Sequence, residues 1–172
     1  MACAVIVKDF RFRERVDDSK KLTAARRERA FGEILKKCFL SAAVVEPRRI
    51  DEVNILRAAL EAMRQAVTGL AERPTLVLVD GPAKPDLSCE TIAIPGGDAL
   101  SFSIACASIA AKVIRDRLMH LYHERFPSYG FDVHKGYGTA AHFRALFAHG
   151  PSPIHRFTFG PVRRAQSGFA HG

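Results

Sequence analysis

Two aspartates that follow consecutive predicted strands are the strongest candidates for chemistry in this chain. Asp80 ends the apolar run at residues 75–79 and precedes a Gly-Pro turn, and Asp98 follows a second apolar segment and the turn at residues 95–97. Neighbouring strand ends bring such side chains together, and hard divalent cations prefer oxygen ligands. Two such ions about 4 Å apart activate water for phosphodiester cleavage. The structural alternative makes Asp98 a helix cap and Asp80 an ordinary turn residue.

A second candidate is the segment FDVHKGYGT at residues 131–139, which places His134, Lys135 and Tyr137 among two glycines. Glycines let the backbone approach a ligand closely. A tyrosine beside cations can stack on a sugar or base while a cation meets phosphate. The segment therefore predicts contact with nucleic acid, and a surface loop around a packed tyrosine is the alternative.

Other polar residues admit two interpretations each. Lys112 lies four residues before Asp116 on one predicted helix, so the two are expected to pair, with phosphate contact as the alternative for Lys112. His120 and His123 are expected to be exposed residues late in that helix rather than metal ligands. His155 is expected either to stabilise a loop or to touch phosphate.

The composition indicates a soluble globular protein, and its basic charge fits a polyanionic partner without establishing one. The chain has 172 residues, 48% of them hydrophobic and 26% charged, and a net charge of +8. No apolar run reaches the ~20 residues of a membrane span, and the start lacks the pattern of a secretory signal. Four cysteines without C-x-x-C spacing predict buried free thiols in a reducing cytoplasm, not zinc ligands or disulfides.

Strands and helices alternate through the middle of the chain, which predicts an α/β protein with helices packed on a sheet. We expect strands at residues 2–8, 41–46, 75–79 and 90–94, the third buried on both faces. We expect helices at residues 23–38, with Thr23 as the cap, and at 49–70, 100–125 and 139–148, followed by a loose tail.

Six segments, in this order along the chain, resemble bacterial ribonuclease HII: DDSKKL, DEVNILRAALEAM, LVDG, GGDALSFSIACASIAAKVIRDRLM, FPSYGFDVHKGYGT and PIHRFTFGPV. The resemblance runs from about residue 3 to about residue 164. It implies a ribonuclease H-like mixed sheet flanked by helices, with a small helical segment near the C-terminus. It divides the chain into a catalytic core, residues 1–125, and a substrate-contacting segment and tail, residues 126–172.

The resemblance also implies an activity. It implies two-metal hydrolysis, with Mg²⁺ or Mn²⁺, of RNA in RNA–DNA hybrids and at ribonucleotides embedded in duplex DNA, leaving 5′-phosphate and 3′-hydroxyl ends. Asp80 and Asp98 match two of the family's four metal-binding acids, and Tyr137 matches its tyrosine at the RNA–DNA junction. His134 and Lys135 stand beside that tyrosine. Three lysines fall in segments near the substrate backbone: Lys20, Lys21 and Lys112. The implied protein is a cytoplasmic monomer when complete, with no membrane partner.

The sequence departs from the family at its start. The family opens with a strand that carries an adjacent Asp-Glu pair and a Gly-Arg-Gly turn, whereas residues 1–5 begin where the family's second strand begins. We therefore expect the first, central strand and two of the four acids to be missing from these 172 residues, which leaves the strand at 75–79 without a neighbour. Alternatives are an inactive hybrid-binding remnant, a fragment that does not fold, a ribonuclease HIII or an unrelated ribonuclease H-like nucleotidyl transferase.

Overall fold

The computed structural model describes residues 1–169, which group into two compact units. Unit 1 contains Met1–Val45 and Leu56–Val113. Unit 2 contains Glu46–Ile55 and the chain from Ile114 onward. The division at residue 125 that the resemblance implies concerns functional segments and stays a prediction.

The strands of unit 1 form two separate two-stranded sheets. Strand β1 (Ala2–Val7) pairs antiparallel with β2 (Cys38–Ala43), and β3 (Leu76–Asp80) pairs in parallel with β4 (Glu90–Ile94). Over residues 1–169, no strand pairing joins β1 to β3. Both parallel and antiparallel pairs are present, so the strands form an α/β arrangement of mixed direction.

Helices make up most of the remaining structure. They are α1 (Ala24–Lys37), α2 (Pro47–Val53), α3 (Ile55–Thr68), α4 (Gly97–Leu100), α5 (Phe102–Arg125), α6 (Phe131–His134), α7 (Ala140–His149) and α8 (Gly160–Phe169), with a 3₁₀ turn at Pro127–Tyr129. None of the helices in this described part has both the length and the apolar character needed to cross a membrane.

The core of unit 1 is built on the small-residue face of α5. Its buried residues include Ile104, Ala105, Cys106, Ile109, Ala110 and Val113 on α5, Ala30, Phe31 and Ile34 on α1, and Ala58, Ala62 and Ala66 on α3. Small side chains let helices approach closely, and the buried stripe of α1 follows its predicted helical period. All four cysteines are free thiols, but only Cys38 and Cys106 are buried, whereas Cys3 and Cys89 are partly exposed.

Unit 2 has two apolar clusters of its own. Met119, Tyr129 and Phe131 form the first, and Leu146, Val162 and Ala165 form the second. A surface carboxylate, Asp51, accepts hydrogen bonds from the amides of Phe157 and Thr158, at 2.7 and 3.0 Å. This contact ties the segment before α8 to α2.

Several predicted elements are confirmed, and others differ for local reasons. Strand β2 ends at Ala43 rather than at residue 46, because its register with β1 runs from Cys38 to Ala43. The single helix expected at residues 49–70 is two helices, since Asn54 has φ 73° and Pro47 starts α2 earlier. Helix α8 extends to Phe169, into the tail after Arg164 that was expected to be loose.

Strand β3 is less buried than the sequence predicts. Only Val79 is buried, and Leu76 is 44% exposed, because the strand has one neighbour, β4, in the described chain. A cleft of about 650 Å³ lies on its other side, lined by β1, β3, and residues Ser103, Ile104, Ala107, Ser108 and Ala111 of α5. The structure therefore has an open, largely apolar space between two strands that each have a single partner.

We predict that the cap of α1 contributes measurably to stability. The Thr23 hydroxyl accepts a hydrogen bond from the amide of Arg26, at 3.3 Å. Thr23→Ala is expected to lower the free energy of unfolding by about 1 kcal/mol, and Thr23→Ser to leave it nearly unchanged. Urea denaturation followed by circular dichroism measures both, and equal stability of the Ala and Ser variants would contradict the capping role.

Candidate active site

The two aspartates predicted from strand spacing lie next to each other in unit 1. Asp80 is the last residue of β3, and Asp98 is in the first turn of α4. The amide of Gly97 donates a hydrogen bond to Oδ1 of Asp80, at 2.9 Å. One carboxylate is thus bound to the residue directly before the other, so the end of β3 and the start of α4 form one acidic site.

Two glycines make this approach possible. Gly96 has φ 68°, in the left-handed region that favours glycine. A Cβ on Gly97 would lie 2.6 Å from Cδ1 of Ile104 and 3.6 Å from Cα of Asp80. A larger residue at position 97 would therefore require the buried Ile104 side chain of α5 to move.

Lys20 reaches the acidic site from a distant segment. Asp98 is 6% exposed, and its Oδ2 lies 3.5 Å from Nζ of Lys20, whose side chain is largely exposed. The Asp98 carboxylate, followed by Asp18 and Asp80, raises the pKa of Lys20 above its ordinary value. A buried carboxylate needs a compensating charge, and the Lys20 ammonium supplies one here.

The turn that carries Lys20 is anchored at both sides. Nη1 of Arg27 donates hydrogen bonds to the carbonyl oxygens of Ser19 and Leu22, at 3.0 and 2.6 Å. The buried Ser19 hydroxyl is 3.0 Å from that of Ser108 on α5. Sequence reasoning missed Ser19 and Arg27 as supports, and the only local signal is the DDSKKL turn placed just before a capped helix.

The other two predicted lysines, Lys21 and Lys112, also lie in unit 1. Nζ of Lys21 is 3.6 Å from Oδ1 of Asp17 and is exposed. Lys112 is half-buried on α5. The expected pairing of Lys112 with Asp116, and substrate contact by Lys21 and Lys112, stay predictions.

The segment around Tyr137 forms a compact loop in unit 2. Tyr137 is 55% exposed, and Cζ of Arg115 lies 4.8 Å from the centre of its ring. Gly136 has φ 75°, and a Cβ there would lie 3.2 Å from Cε of Met119. The loop thus presents an exposed aromatic ring with a guanidinium packed against it.

Lys135 and the histidines of the preceding helix face one another in unit 2. Nζ of Lys135 lies 2.9 Å from Nε2 of His120 and donates to the carbonyl oxygen of Asp132. Nδ1 of His123 lies 3.1 Å from a carboxylate oxygen of Asp132. Within residues 1–169, no group of three or more His, Cys, Asp or Glu side chains is arranged to hold a metal ion.

Two histidines singled out in the sequence are interior residues. His134 is 8% exposed, with Nε2 at 2.6 Å from the carbonyl oxygen of Tyr129 and Nδ1 accepting from the amide of Gly136 at 3.2 Å. His155 is 6% exposed, and burial followed by the neighbouring His142 lowers its pKa to about 4. Of the two alternatives for His155, its position fits the stabilisation of a loop.

The acidic site has a donor set that fits Mg²⁺ or Mn²⁺. Asp80 and Asp98 offer carboxylate oxygens, one side chain exposed and the other buried. Magnesium binds in proteins through one or two carboxylates and keeps several of its waters. Two acids satisfy that minimum, and further acids would be needed for a second ion.

Solved structures with the same fold define the class of protein. The ribonuclease H2 of Pyrococcus horikoshii superposes with a TM-score of 0.74 over 99% of each chain, at 20% identity. A Bst ribonuclease HIII, solved in complex with Mn²⁺, gives a TM-score of 0.65 at 14% identity and covers 91% of this chain and 59% of that one. At these identities the comparison shows the fold, which is ribonuclease H-like.

Sequence comparison then gives the family. The family model for ribonuclease HII matches residues 1–162. The ribonuclease HII of Delftia acidovorans is 52% identical over 170 residues, which are 97% of this chain and 72% of that protein. The chain belongs to the ribonuclease HII family, and the resemblance read from six sequence segments is confirmed.

We predict that Gly97 cannot be replaced without loss of stability at the acidic site. Gly97→Ala places a methyl group against the buried Ile104, which is expected to cost about 1–3 kcal/mol and to weaken the amide bond to Asp80. Gly32→Ala is the matched control, because Gly32 lies within α1 with no atom within 4 Å of its ideal Cβ. That variant is expected to gain about 0.5–1 kcal/mol. Equal unfolding free energies for the two variants, measured in urea, would refute the close approach.

Proposed function

We propose that the protein is an endonuclease that cleaves the RNA strand of RNA–DNA hybrids and cuts at ribonucleotides embedded in duplex DNA. The proposed products carry 5′-phosphate and 3′-hydroxyl ends. The observation that supports the proposal most strongly is the hydrogen bond from Gly97, the residue before Asp98, to the Asp80 carboxylate in a chain of the ribonuclease HII family. The net charge of +8 fits the polyanionic substrate.

In this proposal Asp80 and Asp98 hold Mg²⁺ or Mn²⁺. Ions bound there supply an activated water and neutralise charge at the leaving oxygen, as in two-metal hydrolysis. The fold relative from Bst is a complex with Mn²⁺, which agrees with this choice of ion. Lys20, whose exposed ammonium lies 3.5 Å from Oδ2 of Asp98, would be the residue of this site that binds a phosphate of the substrate.

We further propose that an extended strand occupies the cleft beside β3. The cleft is lined by β1 and β3, and a strand there would pair their free edges, since neighbouring strands lie about 4.8 Å apart. The resemblance assigns to such a strand an adjacent Asp-Glu pair, which would complete a set of four acids with Asp80 and Asp98. The Delftia relative is longer than its matched region, since this chain spans 72% of it.

Unit 2 supplies the proposed recognition of the substrate. Tyr137, exposed and packed against Arg115, stacks on a sugar at the RNA–DNA junction. Lys135, two residues earlier in the chain, is proposed to leave His120 and the Asp132 carbonyl oxygen for a phosphate of the substrate. His134 was predicted as a substrate contact, but both of its ring nitrogens are hydrogen-bonded to the backbone of its own loop. We propose that His134 acts by shaping this loop. Lys21 and Lys112 are proposed to contact the substrate backbone.

A hybrid-binding protein that does not cut is the second candidate function. It is favoured by one observation, the absence of a third acid or other ligand beside Asp80 and Asp98 within the described residues. Incubation of a labelled duplex that contains one ribonucleotide, first in Mg²⁺ and then in Mn²⁺, separates the two functions. A cut on the 5′ side of the ribonucleotide supports the nuclease, and binding without a cut in a protein that carries the added strand supports the alternative.

We predict that Asp80→Asn abolishes cleavage and leaves hybrid binding nearly unchanged, because an amide is a poor ligand for a hard cation. The assay uses the chain extended at its N-terminus by the proposed strand with the Asp-Glu pair, and binding is measured by fluorescence anisotropy in EDTA. Asp86→Asn is the matched control, since Asp86 is an exposed acid outside the site. Turnover by Asp80→Asn at the rate of the control would refute the metal-binding role.

We also predict that this extension raises the rate of cleavage above that of the 172-residue chain. The added strand would fill the cleft and bring two more acids, so both stability and metal affinity should increase. Thermal unfolding and single-turnover cleavage are measured on the two proteins and on an extended control whose added Asp-Glu pair is Asn-Gln. If the control cuts as fast as the extended protein, the added acids have no role in the reaction.

A further inference from the structure

Three buried histidines of unit 2 contact one another, and one of them, His142, contacts the backbone of Tyr137. His134, His142 and His155 are 8%, 7% and 6% exposed. The rings of His134 and His142 are stacked, with centroids 4.3 Å apart and planes at 12°. Nε2 of His142 lies 3.1 Å from Nε2 of His155. Buried polar groups need hydrogen-bond partners, so this cluster must have a definite arrangement of protons.

One end of the cluster fixes the tautomer of His155. The backbone amide of Ser152 donates to Nδ1 of His155 at 3.0 Å, and the Ser152 hydroxyl lies 2.7 Å from the same nitrogen. A backbone amide is always a donor, so Nδ1 of His155 carries no proton. The neutral ring of His155 therefore carries its proton on Nε2, facing His142.

The other end fixes the tautomer of His142 independently. Nδ1 of His142 lies 3.0 Å from the carbonyl oxygen of Tyr137, which is always an acceptor. Nδ1 of His142 therefore carries the proton, and its Nε2 is a free acceptor. The two assignments meet without conflict, since the His155 Nε2–H donates to Nε2 of His142.

The surroundings keep these rings neutral. Burial, followed by the nearby His142, lowers the pKa of His155 to about 4. Burial is also the main cause of the lowered pKa of His142. A proton added to either ring would place two N–H groups against each other, so the neutral arrangement is the one that the hydrogen bonds require.

We propose that His142 and His155 are positioning residues that hold Tyr137 for contact with nucleic acid. A continuous series of hydrogen bonds runs from Ser152 through His155 and His142 to the Tyr137 carbonyl oxygen. The series fixes the carbonyl oxygen of Tyr137, while the guanidinium of Arg115 packs against the Tyr137 ring. The inference rests on the proposed function only in the identity of the ligand that Tyr137 contacts.

The first test reads the protons directly and needs no substrate. Long-range ¹H–¹⁵N NMR of the histidine rings at pH 7.5 distinguishes the two neutral tautomers and the cation. The expected result is a proton on Nδ1 of His142 and on Nε2 of His155, with both rings neutral. A proton on Nε2 of His142, or a cationic ring at this pH, would overturn the series of hydrogen bonds.

The second test asks whether the series acts through Tyr137. Binding of a labelled RNA–DNA hybrid in EDTA is measured for His142→Leu, for Tyr137→Ala and for the variant that combines them. The fourth variant is His142→Asn, because the asparagine amide keeps a donor near the position of Nδ1. We expect His142→Leu to weaken binding roughly 10-fold, as loss of one stacking contact does, and His142→Asn to restore most of it. In the Tyr137→Ala background, His142→Leu should have no further effect.

The outcomes separate this inference from the proposed function. Additive losses in the double variant would show that His142 acts on the fold alone, and would overturn the positioning role. Unchanged binding by Tyr137→Ala would refute the proposed role of Tyr137 and with it the positioning role, whereas the NMR result would still decide the proton arrangement. Circular dichroism melting of each variant confirms that the binding data come from folded protein.

Discussion

The hydrogen bond from the Gly97 amide to the Asp80 carboxylate is the contact on which the acidic site depends. It joins the end of β3 to the first turn of α4, so the residue after Gly97, Asp98, is placed beside Asp80. Hydrogen bonds to charged groups contribute about 1.5–3 kcal/mol, which is large for a single surface contact. A methyl group at residue 97 would lie 2.6 Å from Cδ1 of Ile104, so that buried side chain would have to shift.

This arrangement concentrates negative charge, and the surrounding structure compensates for it. Asp98 is buried, and its ammonium partner, Lys20, comes from a turn 78 residues earlier in the chain. Hydrogen bonds from Arg27 and between Ser19 and Ser108 hold that turn, and so they position the Lys20 ammonium beside Asp98. A divalent ion would satisfy the same carboxylates more strongly, which links the stability of the site to its proposed chemistry.

The sequence predicts the elements that have a local cause and misses those set by distant contacts. Helix α1 was predictable from its apolar period and from Thr23, and β4 from its flanking turns. The approach of Asp80 to Asp98 was predictable because both follow strands. The pairing of Lys20 with Asp98 was not, since no local pattern encodes it. The break at Asn54 is a single backbone conformation, φ 73°, that an otherwise helical pattern conceals.

The histidines of unit 2 also make contacts that the sequence does not predict. The motif around His134 suggested a ligand-facing loop, and the structure places that ring in the interior with two backbone partners. His142, which was not singled out, contacts the carbonyl oxygen of Tyr137 from a different helix. Only the tertiary structure shows that a residue of α7 supports the loop before it.

The proposed chemistry depends on the binding of divalent ions by Asp80 and Asp98, which Mn²⁺ titration followed by electron paramagnetic resonance measures. Bound Mn²⁺ loses the sharp signal of the free ion, so binding is read without any cleavage. The account predicts that this 172-residue chain removes free Mn²⁺ from solution, and that Asp80→Asn and Asp98→Asn each remove much less. Binding by both variants at the level of the unaltered chain would contradict the claim, and would place the ion elsewhere.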